Sequence, residues 1–177
     1  MGELTVLNPE YEEVNLLHVS ITSRENLIGP VTVAVIENSK PHAKELLTYV
    51  AEGLREYLPV EEIIIHSKSS AGKPIDADEA EMLAARAHLI ISGLGDWGAC
   101  TACSLHDAIQ MEAHGIPTAL VITEPFAPIV ASFAPTVGMD KYTGTVMVPH
   151  RVATTDQDGL RELAESIIDD VRSCLTM

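Results

Sequence analysis

Two cysteines one helical turn apart, Cys100 and Cys103, stand in the stretch GDWGACTACSLHD (residues 95–107), which also holds the only tryptophan, Trp97. Thiols at this C-x-x-C spacing serve disulfide exchange, metal binding or nucleophilic attack, and the same pair also occurs as small apolar filling where a helix crosses a sheet. A helix starting near Cys100 would turn its unpartnered first-turn amides and the positive end of its dipole toward the sulfurs, which favours a thiolate. Cys100 is then the expected nucleophile and Cys103 the thiol that resolves a disulfide formed there. Asp107 follows Cys103 by four residues on the same helical face, with His106 beside it, so a proton-transfer group is in reach. His106 alone reads as a surface helix residue. Asp96 either caps the turn or moves a proton, and Trp97 is either a plug over the sheet edge or a wall against a substrate.

These residues need a frame that brings them to one place. From Val31 onward, short apolar runs alternate with helix-like segments. VTVAVI (31–36), EIIIH (62–66), HLIIS (88–92), PTALVIT (117–123) and GTVMV (144–148) read as strands buried on both faces. Between them, Ala43, Leu46, Leu47, Val50 and Leu54 keep helical spacing, Asp76 and Glu79 form a D-x-x-E start before AEMLAARA, and residues 158–175 close the chain as an amphipathic helix. Gly115 ends the helix that follows the cysteines. This order predicts a flavodoxin-like, doubly wound α/β fold: a mainly parallel five-stranded sheet in the order 2-1-3-4-5, with helices on both faces. Residues 31–177 are expected to form this single domain, and residues 1–30 an arm or edge element packed on it.

Open parallel sheets bind ligands at the carboxyl ends of their strands, where the strand order reverses. Here the reversal falls between the first and third strands, whose following loops are ENSKPH (37–42) and GLGDWGAC (93–100). Gly98 and the Gly-Leu-Gly turn before it offer backbone amides to an anion. Asn38 and Lys40 are candidate substrate anchors, together with Trp97, Gly98 and Thr101, and Ser104 adds a second hydroxyl. Glu124, held extended by Pro125, and His150, after Pro149 at a strand end, are further proton-transfer candidates on the same rim.

Composition narrows the setting. The chain has 177 residues, 46% of them hydrophobic and only 4% aromatic, so its core is built from Ala, Val, Ile and Leu. With 26 acidic against 11 basic residues, the net charge of −15 repels nucleic acid and anionic membranes. The start MGELTVLNPEYEE lacks the parts of a secretory signal, and no run reaches the roughly 18 apolar residues of a membrane span. A cytoplasmic protein acting on a small molecule is expected, as a homo-oligomer or with a redox partner protein. No zinc framework is present, and the sequence requires no cofactor.

The stretch GDWGACTACSLHDAIQMEAHGIPTALVITEPF, with LNP, LIGPVTVAVIENSKPHAKELL and VPH elsewhere, resembles the UGSC family of thiol or selenothiol redox proteins, named for a selenocysteine-Gly-Ser-Cys motif. It is similar, more distantly, to the selenoprotein B component of glycine, sarcosine and betaine reductases. The resemblance places Gly98, Ala99 and Cys100 at the Gly, Ser and Cys of the motif, and Trp97 at the selenocysteine. An indole cannot perform the chalcogen attack this implies at residue 97. Trp97 therefore stands for an encoded selenocysteine, or the chemistry has moved to Cys100 as a redox thiol or as the nucleophile of a hydratase, lyase or hydrolase, or a non-catalytic subunit remains. CTACS is also similar to the start of the nitrile hydratase metal claw, with Leu105 in place of its third Cys, so metal at Cys100 and Cys103 with Glu124 or His150 is an alternative.

Overall fold

The computed structural model describes residues 18–177. Five strands, β1 (Val31–Glu37), β2 (Val60–Ser67), β3 (Leu89–Gly95), β4 (Thr118–Thr123) and β5 (Thr145–Val148), form one parallel sheet in the order β2-β1-β3-β4-β5. Every neighbouring pair is parallel. The connections are α1 (Ala43–Gly53), α2 (Ala77–Ala84), α3 (Gly98–Ala113) and α4 (Ala127–Phe133), and α5 (Gln157–Leu175) closes the chain.

Strand parity decides which helix covers which face. Val33, Val35, Leu89, Ile91, Ala119 and Val121 point to the side packed by Leu46, Leu47 and Val50 of α1 and by Leu160, Ile167 and Val171 of α5. Ala34, Ile36 and Ile90 point the other way, onto Ala80 and Leu83 of α2 and Met111 of α3. Leu120 and Ile122 continue that second face beneath Leu105, Ala108 and Ile109 of α3 and Val130 of α4. Each such aliphatic side chain contributes about 1.5 to 3 kcal/mol by leaving water, so β1, β3 and β4, sealed on both faces, form the rigid centre.

The sequence expectation fails at the sheet edges and after β4. β2 and β5 are not buried on both faces: most of β2 is partly or fully exposed and Met147 of β5 is open, because each edge strand has only one neighbour. Residues 124–137 form a 3-10 turn, α4 and a second 3-10 turn, where the sequence pattern indicated no element; Pro125, Pro128 and Pro135 disguise the helix. Asp76 occupies the N-cap position of α2, but its side chain makes no cap and instead holds Lys73 at 2.9 Å. Gly115 does end α3, in the left-handed region at φ 79°.

Of the expected arm, residues 1–17 lie outside the described residues. Residues 18–30 carry no helix or strand. They are tied down at Glu112, a fully buried α3 carboxylate that accepts two hydrogen bonds from the Arg24 guanidinium (2.7 and 2.9 Å) and one from each of the Thr22 and Thr118 amides (2.6 and 2.9 Å). Arg24→Met strands that carboxylate in the core, and losing one partner of a buried pair costs about 3 to 5 kcal/mol. Urea unfolding is expected to show a loss of that size, and a loss below about 1 kcal/mol, typical of exposed pairs, would contradict it.

Candidate active site

α1 leaves the sheet toward one face and α3 toward the other, so the loops after β1 and β3 lie side by side at the switch point, at the carboxyl ends of the strands. Asn38, fully buried, spans it: its side-chain amide donates to Leu94 O of β3 (2.8 Å) and to Ser104 Oγ of α3 (3.3 Å). The residues after it form a tight path. Ser39 and His42 both take left-handed backbone, at φ 61° and 64°, on either side of Lys40 and Pro41. Such conformations cost about 1 to 3 kcal/mol each for a residue with a Cβ and persist only where the surroundings over-determine them. The Ser39 amide donates to the Glu37 carboxylate (2.6 Å) and its hydroxyl to Lys68 O (2.6 Å). Lys40 is thereby aimed across the switch point, where its Nζ meets Asp96 Oδ1 at 3.1 Å.

α3 begins at Gly98, two residues before the expected start, with Trp97 as its extended N-cap residue. Cys100 is thus the third helical residue and Cys103 the sixth. The Trp97 amide donates to Cys100 Sγ (3.1 Å), and the thiol lies 3.2 Å from both Asp96 Oδ1 and Trp97 O as a donor. Cys100 is 3% exposed, and Cys103 is half-buried; both are free thiols.

The expected thiolate is not what this environment favours. Burial pushes the Cys100 thiol above its ordinary range, and the adjacent Asp96 carboxylate adds to the rise against the opposing backbone amides. Burial likewise pushes Cys103 up, opposed by the Lys68 ammonium and reinforced by Asp107. Cys100, as the third helical residue, is still in the first turn of α3, so the helix end is present there and burial outweighs it.

One turn after Cys103 on α3, Asp107 forms a second ion pair, with Lys68, their side chains 0% and 2% exposed. Asp107 also accepts the Ile75 amide (2.7 Å), and its carboxyl is raised by burial against the pull of Lys68. Lys68 follows the last residue of β2, and its amide extends the sheet ladder to Glu37 O (2.9 Å). Sequence reasoning missed it. The signal was present, since Lys68 directly follows a strand at the carboxyl rim, but SKSSAGK reads as a solvated loop.

The remaining candidates divide. Trp97 is 66% exposed, so it does not plug the sheet edge, and Gly98 faces open space where a Cβ would meet nothing. Thr101 is fully buried, its hydroxyl against Gly95 and away from solvent. Glu124 and His150 are exposed on the β4–β5 side, where His150 Nδ1 meets Thr123 Oγ1 at 3.0 Å and its ring lies 5.8 Å from that of Phe126. Neither joins the cysteines by a hydrogen bond or ion pair among the described residues. Glu124 instead borders a groove of about 730 Å³ along β5, with Arg24, Thr145, Met147 and Cys174. Among the described residues, no three His, Cys, Asp or Glu side chains converge as metal ligands, so the set of Cys100 and Cys103 with Glu124 or His150 is not assembled. No helix among the described residues is long and apolar enough to cross a membrane.

Strand order and crossovers define a flavodoxin-like α/β protein that carries two thiols and two lysine–aspartate pairs at its switch point. The chain belongs to the UGSC family, whose model matches residues 5–177. No curated protein matches it. Among solved structures it is similar to oxidised flavodoxin 2 from Bacillus cereus, with 15% identity, a TM-score of 0.49, and coverage of 80% of this chain and 98% of that one. It is also similar to the sugar isomerase domain of an RpiR transcription factor from Sphaerobacter thermophilus, with 14% identity, a TM-score of 0.44, and coverage of 82% and 71%. A flavodoxin-like domain from Synechococcus sp. gives 14% identity, a TM-score of 0.42, and coverage of 80% and 96%.

A raised thiol has less thiolate at neutral pH, so the sign of the pH dependence is fixed. Iodoacetamide alkylation of Cys100, followed by peptide mass mapping, is expected to be slower than that of free cysteine at pH 7. It should rise only above the free-thiol value of about 8.5. Rapid modification of Cys100 near pH 6 would contradict the assigned direction.

Proposed function

We propose that this protein is a thiol-dependent redox enzyme acting on a small molecule, with Cys100 and Cys103 cycling between dithiol and disulfide. The observation that carries this reading is the pairing of two free thiols one turn apart at the switch point, each beside its own lysine–aspartate pair. Membership of the UGSC family supports it. Three free cysteines also suit a reducing, cytoplasmic compartment.

In the proposed cycle, one thiol of the pair ionises and attacks a sulfur of a small disulfide substrate. That S–S bond breaks, one substrate thiol leaves, and a mixed disulfide forms. The second thiol loses its proton and attacks the enzyme's sulfur in the mixed disulfide, releasing the other substrate thiol. Two cysteine thiols are thereby oxidised to one disulfide and the substrate is reduced to two thiols; an external dithiol or a redox partner protein restores the enzyme. Asp96, 3.2 Å from Cys100 Sγ, is placed to take the Cys100 proton, and Lys40 holds that carboxylate in position. Exposed Trp97 offers a flat wall and Gly98 an uncrowded approach for the incoming molecule.

Side chains three apart on a helix have Cβ atoms about 5 to 6 Å apart, whereas a disulfide needs about 3.5 to 4.5 Å. The oxidised state therefore requires the first turn of α3 to loosen. That turn begins with Gly98, and Thr101 N to Trp97 O (2.9 Å) is its first helical bond.

Peptide mapping after treatment with one equivalent of a diazene oxidant, with iodoacetamide to trap free thiols, tests the reading. A Cys100–Cys103 disulfide is expected, with faster amide exchange at residues 98–101. In single turnover of a small aromatic disulfide without added dithiol, Cys100→Ser and Cys103→Ser should each fail to release the second substrate thiol. Two thiols that stay fully alkylatable after oxidation, with no disulfide consumed, would overturn it.

A further inference from the structure

We propose that Lys68 is a positioning residue that makes Cys103 the attacking thiol of the pair and leaves Cys100 as the resolving one. This rests on the dithiol reading above and reverses the order expected from the sequence. Cys100 is nearly sealed, and its sulfur faces the Asp96 carboxylate and the Trp97 carbonyl as a hydrogen-bond donor. Removing its proton in the resting enzyme would set a thiolate against two acceptors, one of them charged. Its proton is better surrendered late, when a mixed disulfide gives the sulfur something to attack. Cys103 is half-buried and therefore reachable.

The cation for Cys103 comes from Lys68. Its ammonium is buried on Asp107, one turn beyond Cys103 on α3, so its field is little screened by water. Asp107 opposes it, and the remaining charges around α3 are few. His106 neighbours Asp107 on the helix, Asp96 and its partner Lys40 lie at the Cys100 end, and Glu37 is engaged with the Ser39 amide. Lys73 and Asp76 pair with each other before α2, and on α2 itself Glu79 meets His66 while Asp78 and Glu81 complete the acidic set. β3, β4 and α4 contribute no ionisable side chain to this region. Lys68 lowers the Cys103 thiol by more than Asp107 raises it, consistent with this geometry.

The test is residue-resolved iodoacetamide alkylation of the reduced full-length chain across pH. In the unmodified protein Cys103 should react before Cys100. Lys68→Met should move the midpoint of the Cys103 profile upward by about one pH unit, or roughly tenfold less thiolate at neutral pH, and leave the Cys100 profile in place. Lys68→Arg should keep most of the effect. Should Lys68→Met fail to fold, with Asp107 left unpaired, the Lys68→Met/Asp107→Asn double variant removes both charges and should still titrate above the unmodified protein. Cys100 reacting first, or a Cys103 profile indifferent to Lys68, overturns the proposal. If the Lys68 dependence appears but oxidation never yields the Cys100–Cys103 disulfide, the redox reading fails and the attacking and resolving roles fall with it; a disulfide that forms while the Cys103 profile ignores Lys68 sinks this assignment alone.

Discussion

Asp107 has no exposed surface, and a carboxylate in that position must be neutralised or matched by donors wherever the chain can bring them. Lys68 comes from the end of β2 and the Ile75 amide from the segment leading into α2, so one side chain of α3 fastens two segments that are distant in sequence. The Lys68 amide and carbonyl are engaged in turn, by Glu37 O and the Ser39 hydroxyl. A single buried charge thus fixes the relative positions of the loops after β1 and β2 and of α3. The thiols ride on that helix. Their position relative to the segments after β2 depends on the pair being intact.

The β1–β3 side of the switch point uses a neutral device. Asn38 reaches from the end of β1 to Leu94 O and Ser104, bridging the two strands whose helices depart to opposite faces. An amide suits this place, since it satisfies buried acceptors without a further desolvated charge. With Asn38 fixed, the left-handed turns at Ser39 and His42 set the direction of Lys40, and Lys40 in turn neutralises Asp96. The two lysine–aspartate pairs differ in burial, and that difference separates the environments of the two sulfurs.

Much of the frame was legible because it is written in periodicity. Continuous runs such as VTVAVI and PTALVIT can be stable only inside a covered parallel sheet, and their alternation with helical spacing fixes the crossovers and hence the switch point. The loops that hold Asn38, Lys40 and Asp96 were found from that topology alone. Lys68 was not, because a buried lysine is recognised by its partner, and Asp107 lies 39 residues away. The boundary of α3 was misplaced for a local reason: Gly98 and Ala99 carry no helix-start signal, and Trp97 is not a usual N-cap residue. What reversed the thiol argument is burial, which raises both thiols although Cys100 is still in the first turn of α3. Glu124 and His150 were assigned to the rim correctly as strand-end residues, but shared height on a sheet does not bring side chains together across β4.

The UGSC motif that this chain resembles would place its first chalcogen at residue 97, outside the first helical turn, with the cysteine at position 100 inside it. In this protein the sulfur of Cys100 already touches the backbone of residue 97, accepting from its amide and donating toward its carbonyl. A chalcogen at the N-cap can close onto such a sulfur without breaking a helical hydrogen bond. With an exposed indole there instead, the two thiols of this segment lie further inward, where both are helical and half or wholly buried. Moving inward raises the cost of ionising a thiol and of closing a disulfide. In the proposed cycle the buried Lys68 ammonium would reduce the first cost, and the turn that opens with Gly98 would reduce the second.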